Sequence, residues 1–158
     1  MNMNDPIAGL LGSWANELNL YSVLLLIAIS VVFAAIIGCE RASKRHAAGQ
    51  RTFILVSLAS AMAMLLDKSF TGMNMPLISA ATVIAVAVIS SNSILYSSKN
   101  QIKGLTTSVA LWACGIIGLA IGAGLYTVSV IGYAALMCCL ALFPTFEIDL
   151  KNRSNHFE

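Results

Sequence analysis

Residues 18–38 run for twenty-one positions without a charged side chain, and most of them are Leu, Ile, Val, Ala or Phe. As a helix this run is about 31 Å long at 1.5 Å per residue, close to the thickness of a bilayer's hydrocarbon core. Lipid offers no partner for an open N–H or C=O, so a crossing segment of this kind has to be helical. Four further apolar windows follow. The second, 52–66, has only fifteen residues between Arg51 and Asp67 and reaches about 22 Å. It must recruit flanking residues, thin the bilayer or let Arg51 snorkel. The third, 77–96, is opened by Pro76, where a helix tolerates proline. The fourth and fifth, 108–126 and 128–146, are separated by Thr127 alone.

Composition closes off the alternatives. Hydrophobic residues make up 58% of the 158 and charged residues 10%, where an ordinary soluble domain carries about 25% charge. A soluble domain of this length still exposes about 30% of its surface and needs polar groups to cover it. The same balance excludes a disordered chain and leaves no basic patch dense enough for nucleic acid. The expectation is an all-α integral membrane protein of five transmembrane helices, 18–146, with an outer interfacial segment 1–17 and a short tail 147–158. In the first segment Ile7, Leu10, Leu11 and Trp14 fall at helical spacing, which suits a helix lying on the outer interface.

Charge sets the direction of insertion. Of the nine Lys and Arg, eight follow spans one, three and five: Arg41, Lys44, Arg45 and Arg51, then Lys99 and Lys103, then Lys151 and Arg153. Lys68 alone is on the other side. Cytoplasmic loops near span ends are enriched in these residues, so the N-terminus is expected outside and the C-terminus in the cytoplasm.

Polar residues near the spans are the candidates for function, because burying them in hydrocarbon is costly. Glu40, Arg41, Arg51, Thr52, Asn92, Thr106 and Thr107 all belong at the cytoplasmic end and form a candidate inner polar ring. The plainest reading pairs Glu40 with Arg51, bonds Ser90, Ser91 and Ser93 back to the helix at i−4, and lets Thr106 or Thr107 cap span four. The sharper reading is a pocket for an ion or a partner's charged side chain. Asp67 and Lys68 read as an interfacial anchor, and Trp112 suits an aromatic belt. In span four Gly115, Gly118 and Gly122 share one face, and Gly132, Ala135 and Cys139 answer in span five, so the two helices are expected to form a hairpin packed through these small residues. Cys39, Cys114, Cys138 and Cys139 form no CxxC pair and read as small buried hydrophobes. No nucleophile elbow, phosphate loop, HExxH or paired-carboxylate pattern occurs. The expectation is therefore no enzyme, no cofactor and no metal site.

Two stretches carry a family resemblance. Gly38-Cys39-Glu40-Arg41 followed by Ala48-Gly49-Gln50-Arg51-Thr52 is similar to the "G-x-E-R … A-G-x-R-T" stretch of the MgtC/SapB family of bacterial inner-membrane proteins. Gly104-Leu105-Thr106-Thr107, then Leu111-Trp112, Gly118, Gly122, Gly124 and Tyr126, resembles that family's "G-L-T-T … W … G … G-x-G-x-Y" region. Where the family usually has a glycine-rich run within span three, this chain has Ala, Ser and Asn over 85–92. The resemblance implies a five-helix inner-membrane protein linked to magnesium limitation and, in pathogens, to virulence. It further implies a regulator acting on other membrane proteins, including the proton-translocating ATP synthase; the alternative partner is a second copy of the chain. Many relatives add a C-terminal ACT-like domain, and its function is expected to be missing here. The alternative is a small oligomeric carrier or channel for Mg2+ or H+, with Glu40, Arg51, Asn92 and Thr107 lining the path.

Overall fold

The computed structural model describes residues 20–43, 48–69, 77–96 and 102–154. The expected interfacial segment 1–17 and the loop cations Lys44, Arg45 and Lys99 lie outside the described residues. Each apolar window forms a helix: α1 (Leu20–Ser43), α2 (Gln50–Ser69), α3 (Leu77–Ser91), α4 (Leu105–Ala123) and α5 (Tyr126–Ser154). Between α3 and α4 lies a two-stranded antiparallel pair, β1 (Leu95–Tyr96) and β2 (Ile102–Lys103), with Leu95 opposite Lys103. Helices α1, α2 and α4 are long and apolar enough to cross a membrane, while α3 and the stretch Tyr126–Ala141 of α5 are shorter apolar helices. Leu24, Val32, Leu55, Ile84, Val88 and Ile131 are exposed around the outside of the bundle, the surface that a lipid solvent accepts and water does not.

The helix limits depart from the expected spans for local reasons. Helix α2 takes in Gln50 and Arg51 at one end and Asp67, Lys68 and Ser69 at the other, and its 20 residues reach about 30 Å. The short second window thus reaches membrane length by recruiting its polar flanks. Helix α3 stops at Ser91, five residues short of the expected span. The Ser90 hydroxyl donates to the Ala87 carbonyl at 2.9 Å and that of Ser91 to Val88 at 2.7 Å. Asn92, Ser93 and Ile94 then bond three residues back, to Ile89, Ser90 and Ser91, and this tightening ends the α-helical ladder. Ser90 and Ser91 therefore bond back at i−3, not at i−4. Helix α5 runs on through 154, so most of the expected tail is helical in backbone.

Helices α2 and α4 form the centre: α2 contacts α1, α3 and α4, and α4 also contacts α1, α3 and α5. One core cluster joins Ala34 and Ile37 of α1, Phe53 and Val56 of α2, Val86 of α3, Ala110, Leu111 and Cys114 of α4 and Leu140 of α5. A second, nearer the Lys68 end, joins Leu26, Leu65, Ile117, Ile121 and Tyr126. Phe33 of α1 meets Tyr133 of α5 with ring centroids 4.7 Å apart.

The glycine stripe of α4 faces α2 and not, as expected, α5. A Cβ on Gly118 would strike the Ser57 carbonyl oxygen, one on Gly122 would lie 2.6 Å from the Ala61 carbonyl oxygen, and one on Gly115 would lie 3.4 Å from Ser60 Oγ and Val56 Cγ1 of α2 and 3.0 Å from Val86 Cγ1 of α3. At Gly132 of α5 the nearest atom would be Ile117 Cγ1 at 3.9 Å, an ordinary contact. Helix α1 makes its own close crossing, since a Cβ on Gly38 would stand 2.7 Å from Gln50 Cα. The correction has a physical cause: glycine faces let backbones approach, and the closest backbone is that of α2, whichever helix follows in sequence.

The cysteine reading is corrected as well. Cys114 is buried, but Cys39, Cys138 and Cys139 are exposed on the outside of the bundle, all four as free thiols. A thiol behaves as a small hydrophobe, so lipid serves it as well as a core does. Replacing Gly118 with Val is expected to destabilise the fold by about 1–3 kcal/mol through overpacking, whereas Gly132→Ala leaves it unchanged. Thermal unfolding in detergent micelles would read the difference.

Candidate functional site

The last turn of α1 and the first turns of α2 and α4 meet at one end of the bundle, since Ile37, Ala48, Phe53, Ala110 and Leu111 share one core cluster. The seven candidate ring residues are gathered at this end but do not all point inward. Arg41 is 3% exposed and Thr107 1% exposed, both in the interior. Glu40 and Thr52 are half-buried, while Arg51, Asn92 and Thr106 are exposed. The Glu40 carboxylate acts on its neighbour Arg41. Of the expected Glu40–Arg51 pair, Glu40 is half-buried in the last turn of α1 and Arg51 exposed on the first turn of α2.

Neither threonine caps α4. The helix begins at Leu105, and Gly104 is the capping residue, with φ 92° and no side-chain cap. Its carbonyl accepts from the Ser108 N–H at 2.9 Å. This early start places Thr106 and Thr107 inside the first turn. Gly104 is required twice over: its φ is left-handed, and a Cβ there would collide with the Ser93 carbonyl oxygen.

At the opposite end, Asp67 and Lys68 do more than anchor an interface. The Ile78 N–H donates to Asp67 Oδ1 at 3.0 Å and the Ser79 N–H to Oδ2 at 2.6 Å. These are the second and third amides of α3, the positions that an N-cap side chain satisfies. Next to it, Lys68 Nζ donates to the Ala123 carbonyl at 2.7 Å, at the C-terminus of α4. Gly124 completes that end with φ 82°, and Gly124 and Leu125 donate their N–H groups to Ile121 and Ala120, the double bond of a Schellman cap. A carboxylate at a helix N-terminus and an ammonium at a C-terminus are both favoured by the helix dipole. The sequence carried one hint: Pro76 precedes Leu77 and has no side-chain acceptor, so α3 needs its cap from elsewhere.

A third polar feature went unread. At mid-bundle the hydroxyls of Ser30 in α1 and Ser57 in α2 bond at 2.9 Å, and both residues are buried. Ser60, 0% exposed, faces Gly115, and its hydroxyl has no hydrogen-bond partner among the described residues. The Cys114 thiol donates to the Phe53 carbonyl at 3.8 Å. Among the described residues no three His, Cys, Asp or Glu side chains come together as a metal site would require.

The model of the MgtC family matches residues 27–148 of this chain. The chain belongs to the MgtC family. The match covers all of the described elements but the outermost turns, in agreement with the resemblance read from the two motif stretches. Among the curated relatives of this MgtC-family chain, the "Putative magnesium transporter YhiD" of Escherichia coli is 31% identical over 82% of the chain and 66% of its own length. Protein SapB of Bacillus subtilis is 34% identical over 66% of the chain and 49% of its own length. Protein MgtC of Brucella abortus is 27% identical over 75% of the chain and 58% of its own length. The chain thus spans between about half and two thirds of these relatives. No solved structure matches it.

Removing the shared cap is expected to loosen one helix in particular. Asp67→Ala costs about 0.5–2 kcal/mol and speeds hydrogen exchange at the amides of Ile78 and Ser79 while leaving mid-α2 protected. In the serine seam, Ser57→Ala costs about 0.6 kcal/mol, and Ser60→Ala is neutral or stabilising because it removes a buried hydroxyl that no described group satisfies. Exchange mass spectrometry and thermal melts of the three variants check both statements.

Proposed function

We propose that this MgtC-family chain is a five-span protein of the bacterial inner membrane, N-terminus outside and C-terminus in the cytoplasm, that regulates other membrane proteins without catalysing a reaction. The observation that carries this reading is where the two charges in the last turn of α2 are spent. Asp67 is occupied by two amides of α3 and Lys68 by a carbonyl of α4, so both charges serve architecture. The middle of the bundle is shut by direct backbone approach of α4 to α2 at Gly118 and Gly122 and by the Ser30–Ser57 bond. A closed, tightly crossed bundle suits a protein that presents outer faces to partner helices. The partner expected from the family resemblance is the proton-translocating ATP synthase, under magnesium limitation and, in pathogens, in virulence.

The second reading, an oligomeric Mg2+ or H+ carrier, is favoured by the name of the Escherichia coli relative. It needs Glu40, Arg51, Asn92 and Thr107 along one path, whereas Arg51 and Asn92 are exposed and Thr107 is buried. The regulator reading predicts that proteoliposomes of the purified chain pass no more magnesium or protons than empty vesicles, and that crosslinking in native membranes recovers a membrane-protein partner. A saturable flux that Glu40→Ala abolishes would overturn it in favour of the carrier.

A further inference from the structure

On the outside of the bundle a groove of about 380 Å3 opens between α3 and α4. Ser79, Ala80 and Val83 line one wall, Ile116, Leu119, Ala120 and Ala123 the other, with Met64 of α2 between them. The walls are apolar along their length, and the polar groups gather at one end. There Asp67 accepts from the Ser79 N–H at 2.6 Å and Lys68 Nζ donates to the Ala123 carbonyl at 2.7 Å. Both charges are therefore bonded to residues of the groove wall and stand at its rim.

The level of that rim follows from the length of α2. Its 20 residues reach about 30 Å, the thickness of the hydrocarbon core, so Lys68 in its last turn stands where acyl chains give way to headgroups. From Ala123 the groove descends seven residues along α4 to Ile116, about 10 Å into the apolar layer. An ammonium carries three donors, and the Ala123 carbonyl takes one of them. The carboxylate of Asp67, the other charge at the rim, is turned to the N-terminal amides of α3, whose dipole offsets it.

We propose that this groove binds one phospholipid, its acyl chain lying between α3 and α4 and its phosphate on the Lys68 ammonium. A single acyl chain is slender and flexible enough to follow the groove, and unlike an apolar partner helix it brings a phosphate to the Lys68 ammonium at the rim. The phosphate supplies acceptors for the remaining ammonium donors, which bond to no other described residue, in a charge-assisted bond at the edge of a low-dielectric region. The inference rests on α2 crossing the membrane and is independent of whether the chain regulates or transports.

The test is native mass spectrometry of the intact purified chain in detergent micelles, titrated with phosphatidylglycerol and, separately, with diacylglycerol of the same acyl chains. The expected result is saturable retention of one phosphatidylglycerol, with diacylglycerol held about tenfold more weakly for want of the charged hydrogen bonds. Lys68→Gln lowers phosphatidylglycerol to the diacylglycerol level and Lys68→Arg restores it. Ala120→Phe fills the groove, leaves Lys68 in place and lowers retention of both lipids. Equal retention of the two lipids by the parent chain would overturn the proposal, as would unchanged phosphatidylglycerol retention in an Ala120→Phe variant that melts like the parent. Should Lys68→Gln lose its helical circular dichroism, the Ala120→Phe comparison decides.

Discussion

An amide left open in hydrocarbon costs several kcal/mol, because no water stands by to satisfy it, and the bundle is arranged around that penalty. Helix interiors satisfy themselves; helix ends do not. Where α3 begins and α4 ends, the open groups are met by two consecutive side chains of a third helix, Asp67 and Lys68 of α2. The chain also meets the two ends of α4 itself, through the Schellman bonds at Gly124 and the Gly104 carbonyl that accepts from the Ser108 N–H. The position of α2 at the centre follows, since only a helix flanked by both neighbours can serve both.

Cohesion across the middle comes from the same solvent. Apolar side chains gain little by leaving lipid for each other, so helices associate through close packing and hydrogen bonds. The α2–α4 crossing uses Gly118 and Gly122 against the backbone at Ser57 and Ala61, and the α1–α2 crossing uses Gly38 against Gln50 and the Ser30–Ser57 pair. Large hydrophobics such as Leu55, Ile84 and Ile131 are turned outward, the reverse of a soluble protein's economy.

Much of this was legible in the sequence. The five apolar windows became five helices, and the need of the second window for polar flanks was met by Arg51, Asp67 and Lys68 joining α2. Glu40 and Arg41 fall in the last turn of α1 and Thr52 and Thr107 in the first turns of α2 and α4, because charge and apolar run length fix where each helix stops. What stayed hidden was pairing at long sequence range. Asp67 capping α3 joins positions eleven and twelve residues apart, and Lys68 meets Ala123 across fifty-five. The glycines of α4 advertised a close contact without naming its partner, and proximity in sequence suggested α5 where proximity in space gave α2. Burial was misjudged for Cys39, Cys138 and Cys139 because hydrophobicity does not tell a core-facing position from a lipid-facing one.

That Asp67 and Lys68 are adjacent has a mechanical consequence. A displacement of α2 along its own axis strains two latches together, one on each neighbouring helix, and neither neighbour can let go alone while α2 shifts. The start of α3 and the end of α4 are thereby geared to one turn of a single rod, and any signal that tugs on that rod is delivered to both at once.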